Sequence, residues 1–276
     1  MAVEAPATCP VMSAVTVRRS QWKQGLGPTS GERTLPEEMA VALVHDASTT
    51  AVMMATPADL EDFAVGFSLS EGVIDRIEEI RSIEIVESDL GVEARIWLAA
   101  GKGLSLAKRR RRLAGPTGCG LCGIDSLSEA LRPPRQLPPD DLRIMAESLL
   151  MAMNALSRAQ RLGQQTRAVH AAGLWTPTKG LISIREDVGR HNALDKLVGA
   201  RARAGAPVGG VVLLTSRVSV EMVQKAAVLG ASILCAVSAP TALAIRTAQA
   251  AGMTLVAVAR SDGFEVFSHH ERVVFP

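Results

Sequence analysis

The side chains best suited to chemistry in this sequence are two thiols, Cys119 and Cys122, in the segment Thr117-Gly118-Cys119-Gly120-Leu121-Cys122-Gly123. Three glycines leave that backbone flexible and the sulfurs unshielded, a setting that presents a thiolate to another macromolecule. Three chemistries use such a pair. A closed zinc site needs two further Cys or His ligands, yet Cys9 and Cys235 stand alone and His269-His270 lies near the end of the chain, so no resident metal is expected. A thiol oxidoreductase would cycle the pair between dithiol and disulfide, usually from a helix start, whereas this pair is followed by Gly123. A sulfur relay would take the terminal sulfur of a donor persulfide onto one thiolate and pass it on, with the second thiol helping its release. The run Lys108-Arg109-Arg110-Arg111-Arg112 ends seven residues before Cys119. Folded back, it would lower a thiol pKa; left extended, it is a solvated loop.

A reactive loop needs a frame to hold it. Residues 1–32 are rich in Gly, Ser, Thr and Pro with scattered cations and show no sustained period, which predicts a loosely packed arm. Residues 33–105 read as a small α+β domain. Its apolar runs Val41 to Val44 and Thr50 to Ala55 lead to Thr56-Pro57-Ala58-Asp59, where Thr56 would cap a helix with Pro57 in its first turn. Leu60, Phe63, Ala64 and Phe67 then repeat at helical spacing, and Ile83, Ile85, Ile96 and Leu98 alternate with polar residues as half-buried strands do.

Residues 106–276 read as a layered α/β domain carrying the cysteine loop. A Pro-rich segment, Arg132 to Asp140, precedes a long amphipathic helix ending near Ser157. Ala168 to Trp175 and Leu181 to Ile184 predict strands around the turn 176–180. Strands at Val211 to Leu214, Ile233 to Val237 and Leu255 to Ala259 then alternate with helices from about Ser219 to Leu229 and after Pro240. Such alternation predicts a sheet that is at least partly parallel and covered on both faces.

Composition removes several function classes. With 47% hydrophobic and 21% charged residues the chain can bury a sizeable core. Thirty basic against 28 acidic side chains leave a net charge of +2, so neither nucleic acid nor an anionic membrane is expected as a partner. Apolar runs are interrupted well before the roughly 18 residues a membrane helix needs, and MAVEAPATCPVMSAV lacks a basic start followed by an apolar core. A cytoplasmic protein is therefore expected, and four cysteines are too sparse for a disulfide framework.

The cysteine loop, the segment Arg185-Glu186-Asp187-Val188-Gly189-Arg190-His191-Asn192-Ala193-Leu194-Asp195-Lys196, the segment Ser216-Arg217-Val218-Ser219-Val220-Glu221-Met222-Val223-Gln224-Lys225 and Ser238-Ala239-Pro240-Thr241 together strongly resemble the formate dehydrogenase accessory sulfurtransferase family, FdhD. The likeness runs in order from about Ala55 to the end, with weaker support from Thr56 to Asp62. It implies a cytidine deaminase-like α/β/α main domain beside a smaller sheet-plus-helix domain. It also implies that sulfur passes from a cysteine desulfurase, through a persulfide on the loop, to a molybdenum or tungsten bis(pyranopterin guanine dinucleotide) cofactor destined for apo formate dehydrogenase. Cys119 would carry the persulfide, Cys122 would assist, and a homodimer is expected. Two alternatives stand beside this one: a chaperone that only shields the cofactor, and the oxidoreductase. Deamination is disfavoured, because zinc deaminases need His-x-Glu before Pro-Cys-x-x-Cys, whereas His170 is followed by Ala171-Ala172 and comes after the cysteines.

A cofactor with pyrophosphates and guanines needs arginines, helix starts and purine-edge partners. Asp187, Arg190, His191 and Asn192 cluster around the Gly189 bend at a predicted helix start and are candidate contacts; the plainer alternative is a capped helix in which Asp195 pairs with His191 one turn away. Arg217, Ser238 and Thr241 follow apolar strands, where ligands of open α/β sheets gather. The resemblance assigns the guanine portion to Val258, Ala259, Arg260, Ser261, Asp262 and Gly263. His170 is either a ligand contact or a satisfied core histidine.

Overall fold

The computed structural model describes residues 12–99, 133–205 and 209–276. Cys119, Cys122 and the basic run 108–112 lie outside the described residues.

The first elements are two ten-residue strands, β1 (Ala14–Lys23) and β2 (Gly27–Pro36), paired antiparallel from Ala14↔Pro36 to Lys23↔Gly27. This hairpin replaces the loose arm expected there. The sequence concealed it because most of the ribbon faces water, so no face needs an apolar stripe. Gly25 and Gly27, at φ 82° and 71°, supply the left-handed positions of the turn.

Next come β3 (Met39–His45), β4 (Ser48–Ala55), β5 (Ile80–Ser88) and β6 (Gly91–Leu98), which form a sheet of order β4-β3-β6-β5. One face is covered by α1 (Leu60–Ser70), whose Phe63, Ala64 and Phe67 pack with Val41, Leu43, Ala94 and Ile96. The helix starts at Leu60, with Asp59 at its N-cap in the left-handed region (φ 53°) and no side-chain cap. Thr56 is therefore not the cap; its polar groups are engaged across the molecule, as described below.

The larger unit opens with β7 (Ile144–Met145), α2 (Ala146–Ala159) and α3 (Arg161–Thr166). Strands β8 (His170–Thr176), β9 (Gly180–Asp187), β10 (Val211–Leu214), β11 (Ile233–Ala236), β12 (Thr254–Arg260) and β13 (Gly263–Ser268) make a six-stranded sheet of order β13-β12-β11-β10-β8-β9. β10, β11 and β12 are mutually parallel, and the outer pairings are antiparallel. Between them run α4 (Arg190–Arg203), α5 (Val220–Leu229) and α6 (Ala242–Ala251), and β14 (Val273–Val274) pairs with β7.

Strand alternation sorts this sheet into two cores. Val212 and Leu214 of β10 join Leu194, Leu197, Met222, Val223, Ala244 and Ala248 from α4, α5 and α6. Val211 and Leu213 face the other way, onto Leu149, Ala152 and Leu156 of α2. The sheet is thus sandwiched between helical layers.

The two units are joined by α1 and α4, which cross backbone against backbone. A Cβ on Gly66 would lie 1.7 Å from the Asp195 carbonyl oxygen, and one on Gly199 would lie 1.8 Å from that of Asp62. No larger residue fits either position without separating the helices. Beside the crossing, Asp62 accepts from Arg185 Nη2 at 2.6 Å and from Arg203 Nη1 at 2.7 Å.

Candidate functional site

β9 runs in the same direction as β10, β11 and β12, so the C-terminal ends of these four strands, with the N-terminal end of β8, share one edge of the sheet. α4 and α5 begin just beyond it, as does α6. The candidate residues Asp187, His170, Arg217, Ser238, Thr241 and Val258 to Gly263, separated by as many as 93 positions in sequence, come together along this edge.

Asp187 organises the start of α4. Its carboxylate is fully buried and forms an ion pair with the equally buried Lys196 Nζ at 2.6 Å. Oδ1 accepts from Gly189 N–H (2.7 Å) and Asn192 Nδ2 (3.0 Å), and Oδ2 accepts from Thr56 N–H (3.0 Å). Thr56 Oγ1 in turn accepts from Val188 N–H at 3.1 Å, and its carbonyl accepts from Lys196 Nζ at 2.8 Å. Asn192 Nδ2 also donates to the Met54 carbonyl at 2.8 Å. The acid, the lysine and the amide therefore act inside the protein: they lock the segment after β4 to the turn that leads into α4. A buried charge must be matched in this way, because leaving it unpaired costs several kcal/mol.

The pairing of Asp195 with His191 offered by the plainer alternative does not form. Asp195 instead binds Lys225 of α5 through both oxygens, at 2.8 and 2.9 Å, and Lys225 also reaches Glu71 at 2.9 Å. The Lys225 ammonium outcompetes a neutral imidazole for the Asp195 carboxylate. Burial pulls the Lys225 pKa down, but Asp195 and Glu71 outweigh it and the net shift is upward. His191 lies one turn earlier on α4, 8% exposed, and neither ring nitrogen has a hydrogen-bond partner among the described residues. Burial above all, then the charges of Lys225 and Arg190, lower its pKa to about 3. His170, half-buried at the start of β8, is also lowered, by burial and Arg190, with Asp187 opposing.

The outer rim is more open. Arg217, Thr241, Arg260, Ser261 and Asp262 are exposed, and Ser238, Val258 and Gly263 are half-buried. A bridge between Val218 and Pro240 ties the two loops after β10 and β11 together, and Thr241 Oγ1 caps α6 by accepting from Ala244 N–H at 3.1 Å. Val258 adopts φ 54°, a left-handed conformation that is strained for a β-branched residue, at an irregularity in the pairing of β12 with β13. Arg260 bends back so that Nη1 donates to the Val237 carbonyl. The strained residue and the folded-back guanidinium sit where the resemblance assigns the guanine contacts.

Among the described residues no three His, Cys, Asp or Glu side chains converge as a metal ion requires. Cys235 is buried in β11, where desolvation pushes its thiol pKa up to about 12, so it is no nucleophile at neutral pH. Sequence reasoning missed the roles of Thr56, Lys196, Lys225 and Glu71. A lysine within the apolar face of each helix was the available sign.

A sandwiched, partly parallel sheet with helix starts and arginines along one strand-end edge defines a layered α/β protein. Comparison with known proteins narrows the class. The chain belongs to the FdhD/NarQ family, whose model matches residues 36–274. It is 51% identical over 259 residues to the sulfur carrier protein FdhD of Agrobacterium fabrum, covering 94% of this chain and 95% of that one. With the protein of the same name from Cupriavidus necator it shares 46% identity, covering 92% and 88%. A crystal structure of a candidate formate dehydrogenase accessory protein from Desulfotalea psychrophila superposes with a TM-score of 0.75 at 27% identity, covering 95% of this chain and all of that one.

Proposed function

We propose that this protein is a sulfur carrier that serves formate dehydrogenase, with Cys119 as the carrying thiol. The observation that bears most weight is the Cys119/Cys122 pair in its glycine-rich sequence, found in a chain half-identical to proteins named for sulfur carriage. In the proposed cycle the Cys119 thiolate attacks the outer sulfur of a cysteine desulfurase persulfide. The donor's S–S bond breaks, the donor cysteine leaves as a thiolate, and Cys119 holds the sulfane sulfur. For release, the Cys122 thiolate attacks the inner Cys119 sulfur and expels hydrosulfide to the acceptor. The two cysteines are thereby oxidised to a disulfide while the sulfane atom is reduced, and a dithiol reductant restores the pair.

The acceptor in this proposal is the molybdenum or tungsten bis(pyranopterin guanine dinucleotide), handled as substrate at the strand-end edge before it enters apo formate dehydrogenase. Exposed Arg217 and Arg260 and the starts of α4, α5 and α6 suit its phosphates. We further take the large unit as cytidine deaminase-like, and the protein as a cytoplasmic homodimer. The test is mass spectrometry after incubation with a cysteine desulfurase and cysteine. An adduct of about 32 Da, one sulfur atom, should appear on the wild type and be absent from Cys119→Ser. An adduct of equal yield on the variant removes Cys119 from the role.

A further inference from the structure

Buried side-chain polar atoms are almost always hydrogen-bonded, so those that are not call for a reason. Among the described residues they concentrate around the starts of two helices at the strand-end edge: Arg190 Nε and both nitrogens of His191 on α4, Ser219 Oγ at the N-cap of α5 and Glu221 Oε2 on α5. His191 is the clearest case, with its whole polar complement unpaired among the described residues and only 8% of the residue exposed. Its surroundings are polar. Arg190 precedes it on α4, Asp195 lies one turn on, Lys225 approaches from α5, Glu71 from the end of α1, and His170 from β8. Asp195 and Glu71 both turn to Lys225, and neither accepts from the His191 ring. The N-cap of α4 is Gly189, which brings no side-chain acceptor to the first turn.

We infer that His191 is reserved for the ligand: its neutral imidazole donates one ring N–H to a phosphoryl oxygen bound at the start of α4, beside Arg190. This rests on the reading that a nucleotide-bearing cofactor occupies the strand-end edge, and adds to it the residue that fixes a phosphate there. A neutral imidazole always carries one N–H and one acceptor nitrogen, so this donor is present at every pH at which the protein works. The helix start and the Arg190 guanidinium favour the anion, while the imidazole adds direction without a further fixed charge. An unpaired imidazole burdens the ligand-free fold, and a bound phosphate removes that burden.

A structural role and a binding role predict opposite effects on stability. The full-length protein and its His191→Leu and His191→Gln variants are titrated calorimetrically with guanosine diphosphate, with inorganic pyrophosphate and with guanosine, and melted without ligand. His191→Leu should weaken diphosphate and pyrophosphate binding by about tenfold or more, the scale of a hydrogen bond to a charged acceptor. Guanosine binding should be unaffected, and His191→Gln, which keeps an N–H donor, should retain most of the affinity. The ligand-free His191→Leu protein should melt at or above the wild-type temperature, because an unsatisfied polar group has been removed. Binding of guanosine diphosphate within twofold of wild type, or a lowered melting temperature that accounts for the lost affinity, overturns the inference and leaves the proposed function standing. Weakened pyrophosphate binding with intact diphosphate binding assigns the contact to free phosphate and also overturns it. A wild-type protein that binds neither phosphate ligand removes the cofactor reading and this inference together.

Discussion

Lys196→Met replaces a fully buried ammonium with an apolar chain of similar length and leaves the Asp187 carboxylate, also 0% exposed, without its counter-charge. Three donors remain on that carboxylate: Thr56 N–H, Gly189 N–H and Asn192 Nδ2. All three are neutral, and the Thr56 carbonyl loses its lysine partner as well. Breaking a buried pair from one side costs about 3–5 kcal/mol. For a chain of this size that is a fall in melting temperature of roughly 6–20 °C. Urea denaturation at pH 7 reads the loss as a lower midpoint at unchanged slope. The double variant Asp187→Asn/Lys196→Met should recover part of it, since the introduced amide carries no stranded charge and its oxygen can still accept from Gly189 N–H and Asn192 Nδ2. A loss below about 1 kcal/mol for Lys196→Met, or a double variant less stable than the single, would refute the account of Asp187 as the charged centre of this junction.

Gly66→Ala should destabilise by more than the roughly 1–3 kcal/mol of ordinary overpacking, because the clash at 1.7 Å is with backbone rather than a movable side chain; urea midpoints measure it. Acidification should weaken the wild-type fold through His191. Its ordinary value is 6.5 and its folded value about 3, so the unfolded chain binds the extra proton, and stability present above pH 6.5 declines as pH falls towards 3. The slope from this group is at most about 1.4 kcal/mol per pH unit, and unfolding curves at pH 7, 6 and 5 should be measurably flatter in His191→Leu. Arg217→Ala with Arg260→Ala should weaken guanosine diphosphate binding several-fold in calorimetry, since both are exposed on the candidate rim. Cells in which Cys119→Ser is the only copy should lose formate dehydrogenase activity, while purified Cys119→Ser protein keeps its melting temperature.

The large unit was legible because its buried strands are short, wholly apolar runs bounded by turns. Val211 to Leu214 was read with the bounds observed, and Ile233 to Val237 and the helix near Ser219 within a residue. The hairpin 14–36 was not, because a ribbon held by backbone pairing and bathed on both sides leaves no periodic trace. β13 was missed as well, although Phe264, Val266 and Ser268 alternate with their neighbours in the manner of an edge strand. At the site, the sequence marks the segment around Gly189 as a polar cluster on a helix start and Arg217, Ser238 and Thr241 as followers of apolar strands, and the elements lie so. Its inner wiring was hidden by distance. Thr56 lies 131 positions from Asp187, and Glu71 lies 154 from Lys225, so local spacing suggested His191 as the partner of Asp195 when the true partner came from another helix.

Because α1 and α4 touch through bare main chain at their crossing, no side chain lies there to absorb a tilt. The orientation of the small sheet is thereby tied to that of α4. The halves of this molecule are therefore not interchangeable modules. A chimaera assembled from two relatives should keep its strand-end edge in shape only where both parents bring a hydrogen in place of a side chain at positions 66 and 199.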